Sequence, residues 1–223
     1  DGELFTGELW EPYPEKLVRE LAAGPDAAIV RRSRVFDDYG VAILESGGPD
    51  HRRTAILNYA SLIGHRQHDH LNLEFLARRL YLLQDMGYPK TWEYREQWDS
   101  NALAHNTVTI DETPAAYHRT GALGRLFAST GPLHMITASH NVYRDVKLGR
   151  EDARPVDLYE RTVLLIDVDD ERFYTVDLFL VNGGEQHDQS WHAFATPVVP
   201  PDLGWDAQDG GTLAGPNVQP FAT

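Results

Sequence analysis

The run from Tyr159 to Val181, YERTVLLIDVDDERFYTVDLFLV, narrows the folds open to this chain more than any other stretch. It holds two segments rich in β-branched and aromatic residues that alternate apolar with polar, and Asp169-Asp170 lies between them. A period of two suits a strand with one buried face and spoils a helix, so the run predicts two strands joined by a tight turn. The same signature recurs from Ala28 onward in AIVRRSRV, YGVAILES and RRTAILNYASLIG, separated by Asp-Asp and Gly-Gly-Pro turn chemistry. AHNTVTID, RLFAST, LHMITASH and VYRDVKL continue the series. Roughly ten or more strands with almost no helix predict an all-β fold, a large antiparallel β-sandwich.

One helix interrupts this pattern. Pro14 opens EKLVRELAAG, Leu17, Val18 and Leu21 fall on one face, and Gly24-Pro25 supplies the stop. Residues 1–27 therefore read as an arm and short N-terminal helix, and residues 28–223 as one main domain, since all-β sandwiches of this length commonly stay single.

Charge and composition exclude several roles. Thirty-four Asp and Glu against 20 Lys and Arg give a net charge of -14, which opposes general nucleic-acid binding because phosphate contacts need clustered cations. No apolar run approaches the roughly 20 residues of a membrane span. The chain has no cysteine, so disulfides and thiolate metal sites are out, and any metal has to sit on His, Asp, Glu or Gln. Nothing near Asp1 has the layout of a signal peptide.

Residues 64–106 concentrate the chemistry: GHRQHDHLNLEFLARRLYLLQDMGYPKTWEYREQWDSNALAHN holds four of the ten histidines. Leu71–Leu76 and Leu80–Asp85 flank Ala77-Arg78-Arg79 as a hairpin, although ARRLYLLQDM also has helical composition. His65, between Gly64 and the LNL run, reads as an active-site histidine or as a surface histidine of a His-rich loop. Asp85 caps the Gly-Tyr-Pro turn or binds a ligand. Asp69 suits a supporting partner that orients an imidazole or Asn72. Tyr88, Tyr94 and Trp98 can meet a substrate from the loop, and Trp92 and Trp98 can equally be packing. His187, Asp188 and His192 suit structural or domain-interface roles, and DVDDE from Asp167 suits a solvated hairpin turn rather than a calcium site.

Taken in order, HRQHDHLNLEF, LLQDMGYP and AHNTVTID, followed by the strand pair from Tyr159 and GGEQHD, resemble the C-terminal β-sandwich domain of the heparinase II/III-like and oligoalginate-lyase families of polysaccharide lyases, over about residues 33–195. The resemblance implies a supersandwich-like fold and a lyase that cleaves an anionic, uronate-containing polysaccharide, of alginate or glycosaminoglycan type, by β-elimination. Such a reaction must neutralise the uronate carboxylate, remove the C5 proton and protonate the leaving O4. The family pattern lays a catalytic role on His65 and a substrate-binding role on the loop that carries Tyr88, Tyr94 and Trp98. Its zinc ligands fall on Gln67, Asp85 and His105. Gln67 stands where the family has histidine, and a carbonyl oxygen is a weaker zinc ligand than imidazole; His68 or His70 could complete the set only by leaving the opposite face of an extended segment. The resemblance further implies a periplasmic or secreted enzyme, a preceding α/α-toroid domain as partner, and an apolar face for that domain to cover.

Two other readings stay open. The aromatic loop could belong to a non-catalytic carbohydrate-binding or accessory sandwich. HRQHDH also lies one substitution from the HxHxDH motif of metallo-β-lactamase-like hydrolases, which needs βα units around it.

Overall fold

The computed structural model describes residues 15–24, 31–60, 67–85, 87, 98–116, 123–144 and 154–193. The chain forms two compact units, Asp1–Arg31 and Arg32–Thr223. In the first, helix α1 spans Glu15–Ala23. Glu15 sits in its positive N-terminal turn and pairs with Arg19 one turn on, and Gly24 closes the end through an N–H to the Leu21 carbonyl at 3.1 Å. Leu17, Val18 and Leu21 are the exposed apolar side chains expected of it.

The second unit opens with an antiparallel meander of five strands: β1 (Arg34–Phe36), β2 (Val41–Ser46), β3 (Arg53–Asn58), β4 (Asn72–Ala77) and β5 (Leu80–Leu83). The helical alternative for ARRLYLLQDM is excluded. Arg78 and Arg79 both take left-handed backbone angles, φ 50° and 67°, which is the two-residue turn that matches the twist of paired strands. A short strand β6 (Val108–Ile110) follows. Then β7 (Leu123–Thr130), β8 (Leu133–Ser139), β9 (Leu158–Asp167) and β10 (Phe173–Asn182) build a four-stranded antiparallel sheet in the order β10-β9-β8-β7. Strand β11 (His187–Gln189) returns to pair with β6.

The two large sheets face each other, β2 against β8 and β9, and β3 against β9. Period two sorts the side chains. Tyr159, Arg161, Val163 and Leu165 of β9 point inward and meet a core of Ala42, Leu44, Ala55 and Leu57 from the meander. The alternate positions point away, so Leu126, Tyr174, Leu178 and Leu180 lie exposed on the outer face of the four-stranded sheet. This is the expected antiparallel sandwich, with α1 the only α-helix among the described residues. The absence there of βα units removes the metallo-β-lactamase-like reading.

Some strand boundaries moved. In AIVRRSRV residues 28–30 lie outside the described set and the strand begins at Arg34, and in AHNTVTID the strand is Val108–Ile110. Tyr143 and Arg144 of VYRDVKL lie in a turn, not a strand, and residues 145–148 fall outside the described set. The Asp169-Asp170 turn is a five-residue loop in which the Asp169 carboxylate accepts the N–H groups of Glu171 and Arg172. Buried Arg53 ties this loop to β3, reaching Asp167 at 2.7 Å and the Asp169 carbonyl at 3.0 Å. Gly183 lets the chain turn from β10 toward β11: at φ 113° any Cβ would lie 2.1 Å from the Pro155 carbonyl oxygen.

Candidate functional site

The described polar centre lies where the start of β4, the end of β5 and the segment before β6 converge. A turn closed by the Asn72 N–H on the Asp69 carbonyl leads into β4. Residues 67–70 form no regular strand, yet their burial alternates, with His68 and His70 buried and Gln67 and Asp69 half-buried, as the two-faced expectation had it. Leu71 is forced to φ 57°, an angle that costs a branched residue about 1 kcal/mol or more, and its carbonyl is held by Arg161 Nη1 at 2.7 Å. Before β6, Asn101 caps a 3-10 turn, Ala102–Ala104, with its side chain on the Leu103 N–H, and His105 follows with its backbone bonded to Ala102.

Asp85 joins these pieces. Its Oδ1 accepts the Gly87 N–H at 2.6 Å, and its Oδ2 accepts from Asn72 Nδ2 at 3.0 Å and His105 Nδ1 at 2.8 Å. His105 has no exposed surface. Burial pushes its pKa down, but the hydrogen bond and charge of Asp85, the charge of Asp69 and the Asp99 backbone outweigh that and raise it. Asp85 moves the opposite way: burial raises it, and His105 with the Gly87 N–H brings it below the usual carboxylate range. Each shift favours the charged form of its group. Asp69, raised by burial, donates no support to Asn72 through its side chain; its carboxylate instead accepts from Asn58 Nδ2 at 2.6 Å.

Gln67 completes the cluster from the other side, its Nε2 donating to the Gly87 carbonyl at 2.5 Å and the Asp99 carbonyl at 3.0 Å. Trp98 is half-buried and packs edge-on against His192 with ring centroids 6.0 Å apart, so its ring serves packing. His192 in turn donates its backbone N–H to Asn106 Oδ1 at 2.6 Å. His65, Tyr88 and Tyr94, together with Trp92, lie outside the described residues. His187 hydrogen-bonds the Gly183 carbonyl, and with Asp188, Glu112 and Asn101 it lines an open cleft of about 610 Å³.

The residues that sequence reasoning missed are the ones that brace this centre. Arg161 has no exposed surface; it binds Asp177 through two parallel bonds of 2.8 and 2.7 Å and reaches the carbonyls of Leu71 and Asn106. Asn106 uses every polar atom: its N–H goes to Asn72 Oδ1, its Nδ2 to the Gln84 carbonyl, its Oδ1 to His192 and its carbonyl to Arg161. The available signal was an arginine on the apolar face of an alternating strand, in phase with Tyr159, Val163 and Leu165.

Gln67, Asp85 and His105 thus come together, but not as a zinc site. Zinc needs proton-free lone pairs converging at about 2.0–2.2 Å. Here the Gln67 atom held by two carbonyls must be the nitrogen, because an oxygen there would face two oxygens, and all three Asp85 contacts are donors. Among the described residues no three His, Asp or Glu side chains converge to hold a metal. The donor set does not fit the ion.

The family model described as Heparinase II/III-like, C-terminal matches residues 28–218. The chain belongs to the heparinase II/III-like C-terminal family. Solved structures agree on the fold. The heparan sulfate lyase HepC from Pedobacter heparinus is similar at a TM-score of 0.53 and 18% identity, over 71% of this chain and 23% of HepC. A heparinase III, the BT4657 gene product, gives 0.50 and 19%, over 66% of this chain and 22% of its own length. This heparinase-like chain therefore spans under a quarter of the length of either lyase. No curated protein matches it. Among its described residues no helix is long and apolar enough to cross a membrane.

Proposed function

We propose that this chain is the β-sandwich part of a polysaccharide lyase that cleaves a uronate-containing polysaccharide, of alginate or glycosaminoglycan type, by β-elimination. The observation that carries the reading is how the polar centre joins chain segments. Gln67 anchors the backbone two residues after His65, and Gly87 anchors it immediately before Tyr88; both are tied to the buried Asp85–His105 pair. A centre tied together in this way can hold the roots of two loops in one geometry, which is what proton transfer at a single sugar ring demands.

In this scheme His65 acts at the chemical step. The C5–H proton passes to a base, the C4–O4 bond breaks as the C4–C5 double bond forms, and O4 takes a proton from an acid. Tyr88, Tyr94 and Trp98 belong to the substrate wall. The remaining wall comes from an α/α-toroid domain of the same enzyme, a reading supported by the small share of each solved lyase that this chain covers. The names of those lyases favour a glycosaminoglycan substrate, and a periplasmic or secreted location suits such a polymer.

The test is to assay this chain and the longer parent on heparan sulfate, heparin and alginate, following the absorbance of unsaturated ends. Activity is expected in the parent alone. Equal activity in the 223-residue chain would overturn the two-wall mechanism, and a parent inactive on every uronan would overturn the lyase assignment.

A further inference from the structure

We propose that Gln67, Asp85 and His105 form a metal-independent hydrogen-bonded clasp in place of the zinc site that the family resemblance implies, with the Gln67 amide as its closing member. The contacts run as a chain. His105 Nδ1 meets Asp85 Oδ2 at 2.8 Å, Asp85 Oδ1 accepts the Gly87 N–H at 2.6 Å, the Gly87 carbonyl accepts Gln67 Nε2 at 2.5 Å, and the same nitrogen reaches the Asp99 carbonyl at 3.0 Å. Asn72 Nδ2 adds a brace to Asp85 from the start of β4.

The choice of side chain follows from this geometry. Two backbone carbonyls converge on one point and need two protons from one atom. A neutral amide nitrogen carries two N–H groups, whereas each imidazole nitrogen carries at most one, and the two nitrogens lie on different edges of the ring. Glutamine therefore satisfies both carbonyls where histidine would leave one unpaired, and in doing so removes the third metal ligand. These contacts link three separated segments, so they do by hydrogen bonds the cross-linking that a structural metal would otherwise do.

The test measures metal content and thermal unfolding of the full chain, with and without EDTA and with added zinc, for wild type, Gln67→His and Gln67→Glu. Wild type is expected to hold under about 0.1 zinc per chain and to keep its Tm within about 1 °C in EDTA. Gln67→His should take up about one zinc and lose Tm on chelation. Gln67→Glu, which keeps the length but sets oxygen against the Gly87 and Asp99 carbonyls, should lower Tm by about 3 °C or more in either condition. Stoichiometric zinc in wild type with a Tm that EDTA lowers would overturn the proposal. So would a Gln67→His variant that gains no zinc, or a Gln67→Glu variant as stable as wild type.

Discussion

Replacing Arg161 by leucine removes the guanidinium that ties the four-stranded sheet to the polar centre. Four hydrogen bonds disappear, two to Asp177 and one each to the Leu71 and Asn106 carbonyls. The Leu71 carbonyl, left without its donor, costs about 1–2 kcal/mol, while the Asn106 carbonyl keeps the Leu73 N–H at 3.2 Å. Breaking a buried ion pair costs about 3–5 kcal/mol, with the lower end apt here because the Asp177 side chain is 17% exposed and can regain some water. Cation–π contacts to Phe179 and Trp191 go as well, while the leucine recovers about 1–2 kcal/mol by burial. The net is about 3–5 kcal/mol, a large share of the roughly 5–15 kcal/mol that keeps a domain folded. With a urea slope of about 2 kcal/mol/M, the unfolding midpoint should fall by about 1.5–2.5 M. Adding Asp177→Leu should return about 2 kcal/mol, because it removes the stranded carboxylate. A midpoint within about 0.5 M of wild type for Arg161→Leu would refute the reasoning, since it would mean the carbonyls find other partners or were never held.

Other expectations follow from the same contacts. His140 is buried edge-on to His70, and burial pushes its pKa down to about 4, so the unfolded chain, titrating near 6.5, binds more protons and stability falls as pH drops from about 6.5 towards 4. The loss at pH 5 is about 2 kcal/mol, and His140→Leu should flatten the wild-type urea midpoint between pH 7 and 5 by that amount; an unchanged slope would show that His140 is not held neutral. His105 contributes oppositely, with stability present below about 6.5 and lost as pH rises through its elevated pKa, which is why the comparison is made against the variant rather than on wild type alone. Arg79→Gly should raise stability by about 1 kcal/mol, because Arg79 sits at φ 67° and its exposed pair with Asp50 contributes little; a lower urea midpoint would refute the turn assignment. In the active parent, His65→Ala should lower turnover about a hundred-fold or more, and wild-type turnover would remove His65 from the chemical step.

Secondary structure was legible wherever a single strand carried its own burial pattern. Tyr159–Val181 reads as a hairpin from its alternation, and β9 buries the residues that the period marks. The turn between β4 and β5 was legible only as a break, because two arginines at positive φ carry no turn signal; the strand pairing around them forces the angle. Short pairings such as β6 with β11, three residues each and nearly eighty apart, have no local signature at all.

For the polar centre the division is sharper. Local sequence order decided that Gln67, Asp85 and His105 would matter together, because the ordered motifs around them carry the family likeness. Which atoms face which was decided by tertiary structure. Asp85 takes the Gly87 N–H within its own turn, but only the approach of Asn72 and His105 from two other segments determines that donors fill its second oxygen. The role of Arg161 is of the same kind. Its strand dictates an inward side chain, but a buried guanidinium is tolerable only where Asp177 and the carbonyls of Leu71 and Asn106 already stand to receive it, and those come from pairings far apart in the chain.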